Sequence, residues 1–195
     1  MPQVHAVFVR PGLRALAAAC ALAAACAGAA ARAERLPMVL EPAAGAALAI
    51  GTVELTPDGD GTRVRVEFDE ARFEDHFLSM RPFRCLPVGE RLLCRLPYPY
   101  ENRRRVVGDD LTDLEYELMF IGKQRSEYGI DVREGLYWKL ARSGDGFVGT
   151  PYAVDYAPLG VPPPTGELRP LKPDQLWEIE PGRAPFVRLR IGSGS

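Results

Sequence analysis

The sequence predicts a mainly β fold: a single antiparallel β domain, closed as a barrel or a sandwich, with one or two short helices and a Pro-rich strap. An α+β arrangement is the alternative. Three observations carry this. Apolar and polar residues alternate at period two along most of the chain after residue 33. Clusters of Gly, Pro, Asp and Ser interrupt that alternation at short, fairly regular intervals. Stretches with helical spacing are few and short.

The chain has 195 residues and a net charge of −2, with 47% hydrophobic and 26% charged residues, which excludes collagen, a coiled coil and a largely disordered chain. These figures average two unlike segments. Residues 1–33 hold three basic residues (Arg10, Arg14, Arg32) and no acidic one. Of the 24 basic groups, 21 therefore remain in the rest of the chain against 26 acidic groups, a net charge of −5. Such a balance opposes nucleic-acid binding.

At the N-terminus, Arg10 and Arg14 precede an unbroken small-apolar run, Ala15 to Ala31, and Ala31-Arg32-Ala33 is an A-x-A cleavage site. Residues 1–33 thus read as a signal peptide and 34–195 as one exported β-rich domain. The run is short and rich in alanine against the roughly 20 apolar residues a bilayer span needs, and the mature chain holds no transmembrane span. Cys26, after Leu22-Ala23-Ala24-Ala25, offers a lipid anchor as the alternative, although Ala23 stands where such signals carry a larger aliphatic residue. Three lysines against 21 arginines is the bias of a GC-rich bacterial coding sequence, so the expected location is periplasmic or secreted.

The first predicted hairpin joins residues 47–56 to 62–68 through Pro57-Asp-Gly-Asp-Gly61, with Val64, Val66 and Phe68 on one face and Arg63, Arg65 and Glu67 on the other. Phe73, His76, Phe77 and Met80 recur at helical spacing, which predicts a short amphipathic helix over 71–80 with Asp69 or Glu70 at its start. Residues 81–86 and 92–96 flank a turn at Pro87 to Glu90. Residues 114–121 fit a strand through Leu114, Tyr116, Leu118 and Phe120 and a helix through Leu111, Leu114, Leu118 and Ile121; a helical turn near residues 109–113 followed by a strand is the preferred reading. Residues 135–141 and 147–155 form a second hairpin through Ser143-Gly-Asp-Gly146. Pro158 to Pro173, with three consecutive prolines, reads as a polyproline surface strap. Residues 186–191 form the last strand.

After cleavage only Cys85 and Cys94 remain, on the two sides of a turn, and they are expected to form a hairpin disulfide. A redox role is disfavoured because the spacing is not C-x-x-C. One remaining histidine and two thiols make no zinc site, so no metal and no cofactor is expected.

No constellation in the sequence names a reaction. Gly144-Asp-Gly-Phe-Val-Gly149 matches G-x-G-x-x-G, but strand-forming residues come after it where a phosphate-binding loop needs a helix. His76 with Asp75 is the weak catalytic candidate. It lacks a suitably placed serine, and a packed histidine is the simpler reading. Asp109, Asp110, Asp113, Glu115 and Glu117 form an acidic cluster in which a glycoside-cleaving carboxylate pair is conceivable. The plainer reading is a capping box between Thr112 and Glu115 with the remaining carboxylates solvated. Pro97-Tyr-Pro-Tyr-Glu-Asn102 runs into Arg103-Arg-Arg105. Tyr98, Tyr100, Arg103, Arg104 and Arg105 are therefore the expected contact surface for a protein or envelope partner.

The leading functional expectation is a non-enzymatic binding domain. The alternatives are a lipocalin-like carrier with a pocket lined by Tyr116, Phe120 and Trp138, and a small hydrolase using acidic residues.

Overall fold

The structure is a computed structural model that describes residues 1–3, 32–79, 82–180 and 182–193. The chain divides into two compact units, 1–30 and 31–195, and the β domain is the second. The alanine run and Cys26 of the expected signal peptide lie outside the described residues.

Alternation builds strands wherever a turn residue permits reversal. β1 (Glu34–Glu41), β2 (Leu48–Asp58) and β3 (Gly61–Phe68) are succeeded by a 3₁₀ turn (Glu70–Arg72), then β4 (Glu74–Phe77), β5 (Pro82–Val88) and β6 (Arg91–Arg95). Next come β7 (Arg105–Val106), α1 (Thr112–Glu117), β8 (Phe120–Gln124), β9 (Gly135–Ser143) and β10 (Gly146–Val154). Two more 3₁₀ turns (Ala157–Gly160 and Pro173–Gln175), β11 (Leu176–Glu178) and β12 (Arg188–Ile191) complete the order. All strand pairs are antiparallel, in one sheet ordered β4-β5-β6-β8-β9-β10-β12-β1-β2-β3-β7, with β11 on β10.

The sheet therefore has two ends, β4 and β7, and is not closed into a barrel. Its halves fold over one core. Phe68 on β3 meets Phe120 on β8 edge to face at 5.9 Å, although five strands separate β3 from β8 in the sheet order. The inner face contributes Met38, Leu40, Ile50, Leu93, Trp138 and Leu189 to this core, all 2% exposed or less. A second core lies on the outer face of β8–β10, where Ile121, Tyr137 and Val154 pack with Tyr156 under Leu159 and Leu171 of the Pro-rich strap. The strap, expected as a surface connection, thus buries two leucines as a lid.

The two predicted hairpins form with the expected turns, Gly59 at φ +64° and Gly144 at φ +58°. Gly146 is required for a different reason: a Cβ there would stand 1.9 Å from the Ile191 carbonyl oxygen. The glycines of the G-x-G-x-x-G string serve a hairpin and its close packing against β12. β12 lies between β10 and β1, so the end of the chain bonds to the start of the domain.

Two local expectations need correction. Residues 71–79 form no α-helix, and Met80 lies outside the described residues. Asp69 caps a single 3₁₀ turn, and Glu74–Phe77 pair with β5 as an edge strand. Cross-strand chemistry outweighs the helical spacing there, because Asp75 lies opposite Arg84 and accepts from it at 3.0 Å. The helical turn expected near 109–113 begins later, at Thr112, and runs to Glu117, so residues 114–117 are helical rather than extended and the strand starts only at Phe120; the cap residue Leu111 makes no side-chain cap bond. The Thr112–Glu115 capping box does not form, because the Glu115 carboxylate is drawn into the protein interior.

Cys85 and Cys94 lie directly opposite each other on β5 and β6, are fully buried, and are joined by a disulfide. The C85A/C94A double variant is expected to lose about 2–3 kcal/mol of stability in urea denaturation, because the closed loop no longer restricts the unfolded chain. A loss below about 1 kcal/mol would contradict a stabilising role for the bond.

Candidate functional site

The acidic cluster organises the middle of the molecule. β8 pairs with β9 only at Phe120↔Leu136 and Ile121↔Gly135, so the edge of β9 beyond Leu136 needs another partner. α1 lies beside that edge. Glu115, with 0% exposure, accepts from the Leu140 backbone N–H at 2.8 Å, the Tyr137 hydroxyl at 2.5 Å and the Lys139 ammonium at 3.1 Å. Burial, and then the Glu115 charge, push the Tyr137 hydroxyl pKa upward. Asp113, also buried, takes the Arg169 guanidinium at 2.6 Å and the Arg105 backbone N–H at 3.1 Å. Arg169 reaches Asp110 as well. Burial acts to raise the Asp110 pKa, but the hydrogen bonds from Arg169 and Thr112 outweigh it and hold the carboxyl below its ordinary value.

The aromatic-basic loop is tied into this framework. Tyr98 donates to the Leu168 carbonyl and Tyr100 to the Leu159 carbonyl, both at 2.7 Å, which fastens the strap from below. Tyr98 also packs on Tyr116 at 4.7 Å. Arg104, with φ +53°, donates to Glu117 at 3.0 Å, while Arg105 on β7 pairs with Asp60 and lies near Asp58. Of the five expected contact residues, Arg103 remains exposed with no ion pair among the described residues.

The other expected residues are dispersed. His76 and Asp75 sit on edge strand β4 and face opposite sides of the sheet. His76 Nε2 lies 3.4 Å from Glu74, and Asp75 pairs with Arg84. Phe120 and Trp138 belong to the inner core, whereas Tyr116 belongs to the outer one, so the three line no common pocket. Trp138 Nε1 is buried without a hydrogen-bond partner among the described residues. No group of three or more His, Cys, Asp or Glu among the described residues is arranged to hold a metal ion.

Two concavities stand out among the described residues. The first, a cleft of about 700 Å³, opens at the end of the sheet where the β5–β6 turn, the end of β8, the start of β9 and the end of β10 meet residues 127–134 and 182–185. Inward-facing Val88, Leu93, Leu136 and Ala153 form its floor, and Arg91, Asp131 and Glu134 stand among its charged lining groups. The second, a groove of about 650 Å³, lies between the strap and the aromatic loop and is walled by Phe83, Pro97, Tyr98, Pro99 and Leu159. The cleft escapes sequence reasoning, since it draws on six separated segments. The alternation Arg91, Leu93, Arg95 on one face of β6 is the one signal for it.

Comparison of the chain with protein-family models, with curated proteins and with solved structures finds no match.

Replacing Glu115 by Leu removes the acceptor of a buried amide and a buried hydroxyl, and a stability loss of about 3 kcal/mol is expected in urea denaturation. Adding Tyr137→Phe should recover part of it by removing one orphaned donor. For Asp110 the sign comes from its depressed pKa: its contribution is present above the unfolded value and is lost as pH falls through the folded one. Arg169→Gln should therefore destabilise the protein at pH 7 by more than it does near pH 4, where carboxyls begin to protonate, as read from urea midpoints at the two pH values. An equal difference at both would remove the ion pairs as its cause.

Proposed function

We propose that the protein is an exported, non-enzymatic binding domain, periplasmic or secreted, whose ligand is an envelope component with an apolar portion. The cleft at the open end of the sheet receives it. The observation that carries this reading is the make-up of that cleft: an apolar floor of Val88, Leu93, Leu136 and Ala153 beneath a charged rim, in a volume of about 700 Å³. Sites for small molecules combine these features, with apolar walls providing affinity and a few polar groups fixing orientation. The acidic cluster supports binding over hydrolysis, because Asp113 and Glu115 are engaged by Arg169, Arg105, Tyr137, Lys139 and Leu140. Export rests on the segment 1–33.

A protein partner is the second reading, favoured by the outer groove. There the rigid Pro97-Tyr98-Pro99 segment and Phe83 present an apolar trough of the kind that extended peptides occupy.

The secreted protein is expected to bind Nile red saturably with a blue-shifted emission. Ala153→Phe fills the cleft from its floor, since Ala153 lies opposite Leu136 across β9 and β10, and should abolish that binding while leaving the thermal midpoint within a few degrees. Binding that survives this substitution would place the ligand elsewhere, and no saturable binding by the wild type would end the proposal.

A further inference from the structure

We infer that the cleft selects a single-chain amphiphile with an anionic headgroup, held by the guanidinium of Arg91; this rests on the cleft being the ligand site.

The alternation of β6 sends Leu92 and Cys94 outward and Arg91, Leu93 and Arg95 inward, so two guanidinium groups enter the inner face of the sheet on either side of a core leucine. Their surroundings differ. Arg95 donates to Glu70 at 2.6 Å and lies 4.0 Å above the Phe68 ring, so its charge is compensated and its plane is stacked. Arg91 has neither. Its hydrogen bond among the described residues goes to the Arg183 carbonyl at 3.5 Å, and no carboxylate of the described residues lies within 4.0 Å.

Arg91 is also not extended into solvent. It is half-buried, and its Nη2 lies where a Cβ on Gly122 would be 3.1 Å away, so the glycine on β8 gives the guanidinium room to lie across the sheet. Every other half-buried arginine among the described residues (Arg84, Arg95, Arg105, Arg169, Arg190) carries a carboxylate partner. A guanidinium drawn partly out of water with most of its five donors unused is a site that an anion stabilises, and its planar fork matches a carboxylate or a phosphate.

The neighbouring charges do not neutralise it. Asp131 is taken by Arg133 at 2.7 Å, and Glu127 accepts from the Gln124 backbone N–H at 2.8 Å. Glu134 lines the cleft but lies beyond ion-pair distance of Arg91. Lys123, opposite Leu92 on β8, lies on the outer face of the sheet and donates to the Glu127 carbonyl there, so it does not share the inner face with Arg91. Next to the Arg91 guanidinium lie Val88, Leu93, Leu136 and Ile179, which offer an apolar bed to one alkyl chain.

The test is displacement of Nile red from the secreted full-length protein by decanoate, decyl phosphate, decanol and decyltrimethylammonium. The two anions should displace the dye with at least about tenfold higher affinity than decanol, and the cation should be weakest. Arg91→Gln should lower anion affinity about tenfold or more without changing that of decanol. Arg91→Lys should retain part of it, and Arg103→Gln, which removes a distant unpaired arginine, should change nothing. Preference for decanoate or for decyl phosphate assigns the headgroup. Equal affinity for anions and decanol, or an equal effect of Arg91→Gln on both, overturns the inference while leaving the cleft as a ligand site. Failure of every amphiphile to displace the dye ends both. Thermal melts of Arg91→Gln and Arg91→Lys establish that the variants compared are folded.

Discussion

β9 is the strand on which the two cores meet, and it is paired along its full length on one side only. Toward β8 its ladder stops at Leu136, and beyond that point Leu140 would turn an N–H into a dry interior. An unpaired buried amide costs about as much as a lost hydrogen bond and its desolvation, a large share of the stability of a domain this size. The Glu115 carboxylate replaces the missing strand: one oxygen takes the Leu140 N–H and the other the Tyr137 hydroxyl, while Lys139 supplies the compensating charge. This bond set fixes α1 against the sheet. With α1 in place, Leu114 and Leu118 fill the inner core while Tyr116 and Met119 fill the outer one. Asp113, one residue before Leu114, then holds Arg169 of the strap. The lid over the outer core thus depends on the helix that repairs the sheet.

The same arrangement makes the two ends of the sheet interior unlike. At one end Arg95 is sealed between Glu70 and the rings of Phe68 and Phe73, and the 3₁₀ turn that presents Glu70 closes that side. At the other end Arg91 meets a glycine and a carbonyl. Residue type, strand and face are the same, so the difference in chemistry comes wholly from what the chain brings opposite. The sealed end contributes stability. The open end retains unused hydrogen-bond donors, which is the condition for recognising a ligand.

Legibility in the sequence tracks the range of the interactions. Both hairpins are readable because alternation and turn glycines are local signals, and the structure differs from those readings only by a residue or two. β1 is not readable in this way. It holds Leu36, Met38 and Leu40 at period two, but Pro37 argues against a central strand; its carbonyl accepts from the Gly192 N–H on the β12 side, where the paired register begins only at Met38, so the missing N–H falls at the end of that ladder, which only the pairing reveals. Residues 74–77 mislead because their helical spacing is real, while the competing pair Asp75–Arg84 is visible only once β4 and β5 lie side by side. Glu115 misleads in the same way: three residues after Thr112 it fits a capping box, and its actual partners lie more than twenty residues away. Tyr98 and Tyr100 stand out in the sequence as rigid amphipathic groups, but their hydroxyls meet carbonyls of the strap.

An unclosed sheet must also end without inviting a further strand, and the way this one ends bears on where the proposed ligand would be met. β4 is four residues long and carries Glu74 and Asp75, while β7 has two residues, with Arg105 held by Asp60. β11, which leaves the main path, has three. Short, charged edges are poor templates for strand addition. Recognition through backbone pairing is therefore disfavoured at each of them, and the surfaces with shape and uncompensated chemistry are the concave ones. Of these, the outer groove is bordered by arginines already matched to Glu70 and Asp75. The open cleft combines an apolar floor with a half-buried cation that has no carboxylate partner among the described residues, and so it is the concavity whose electrostatics a ligand would complete.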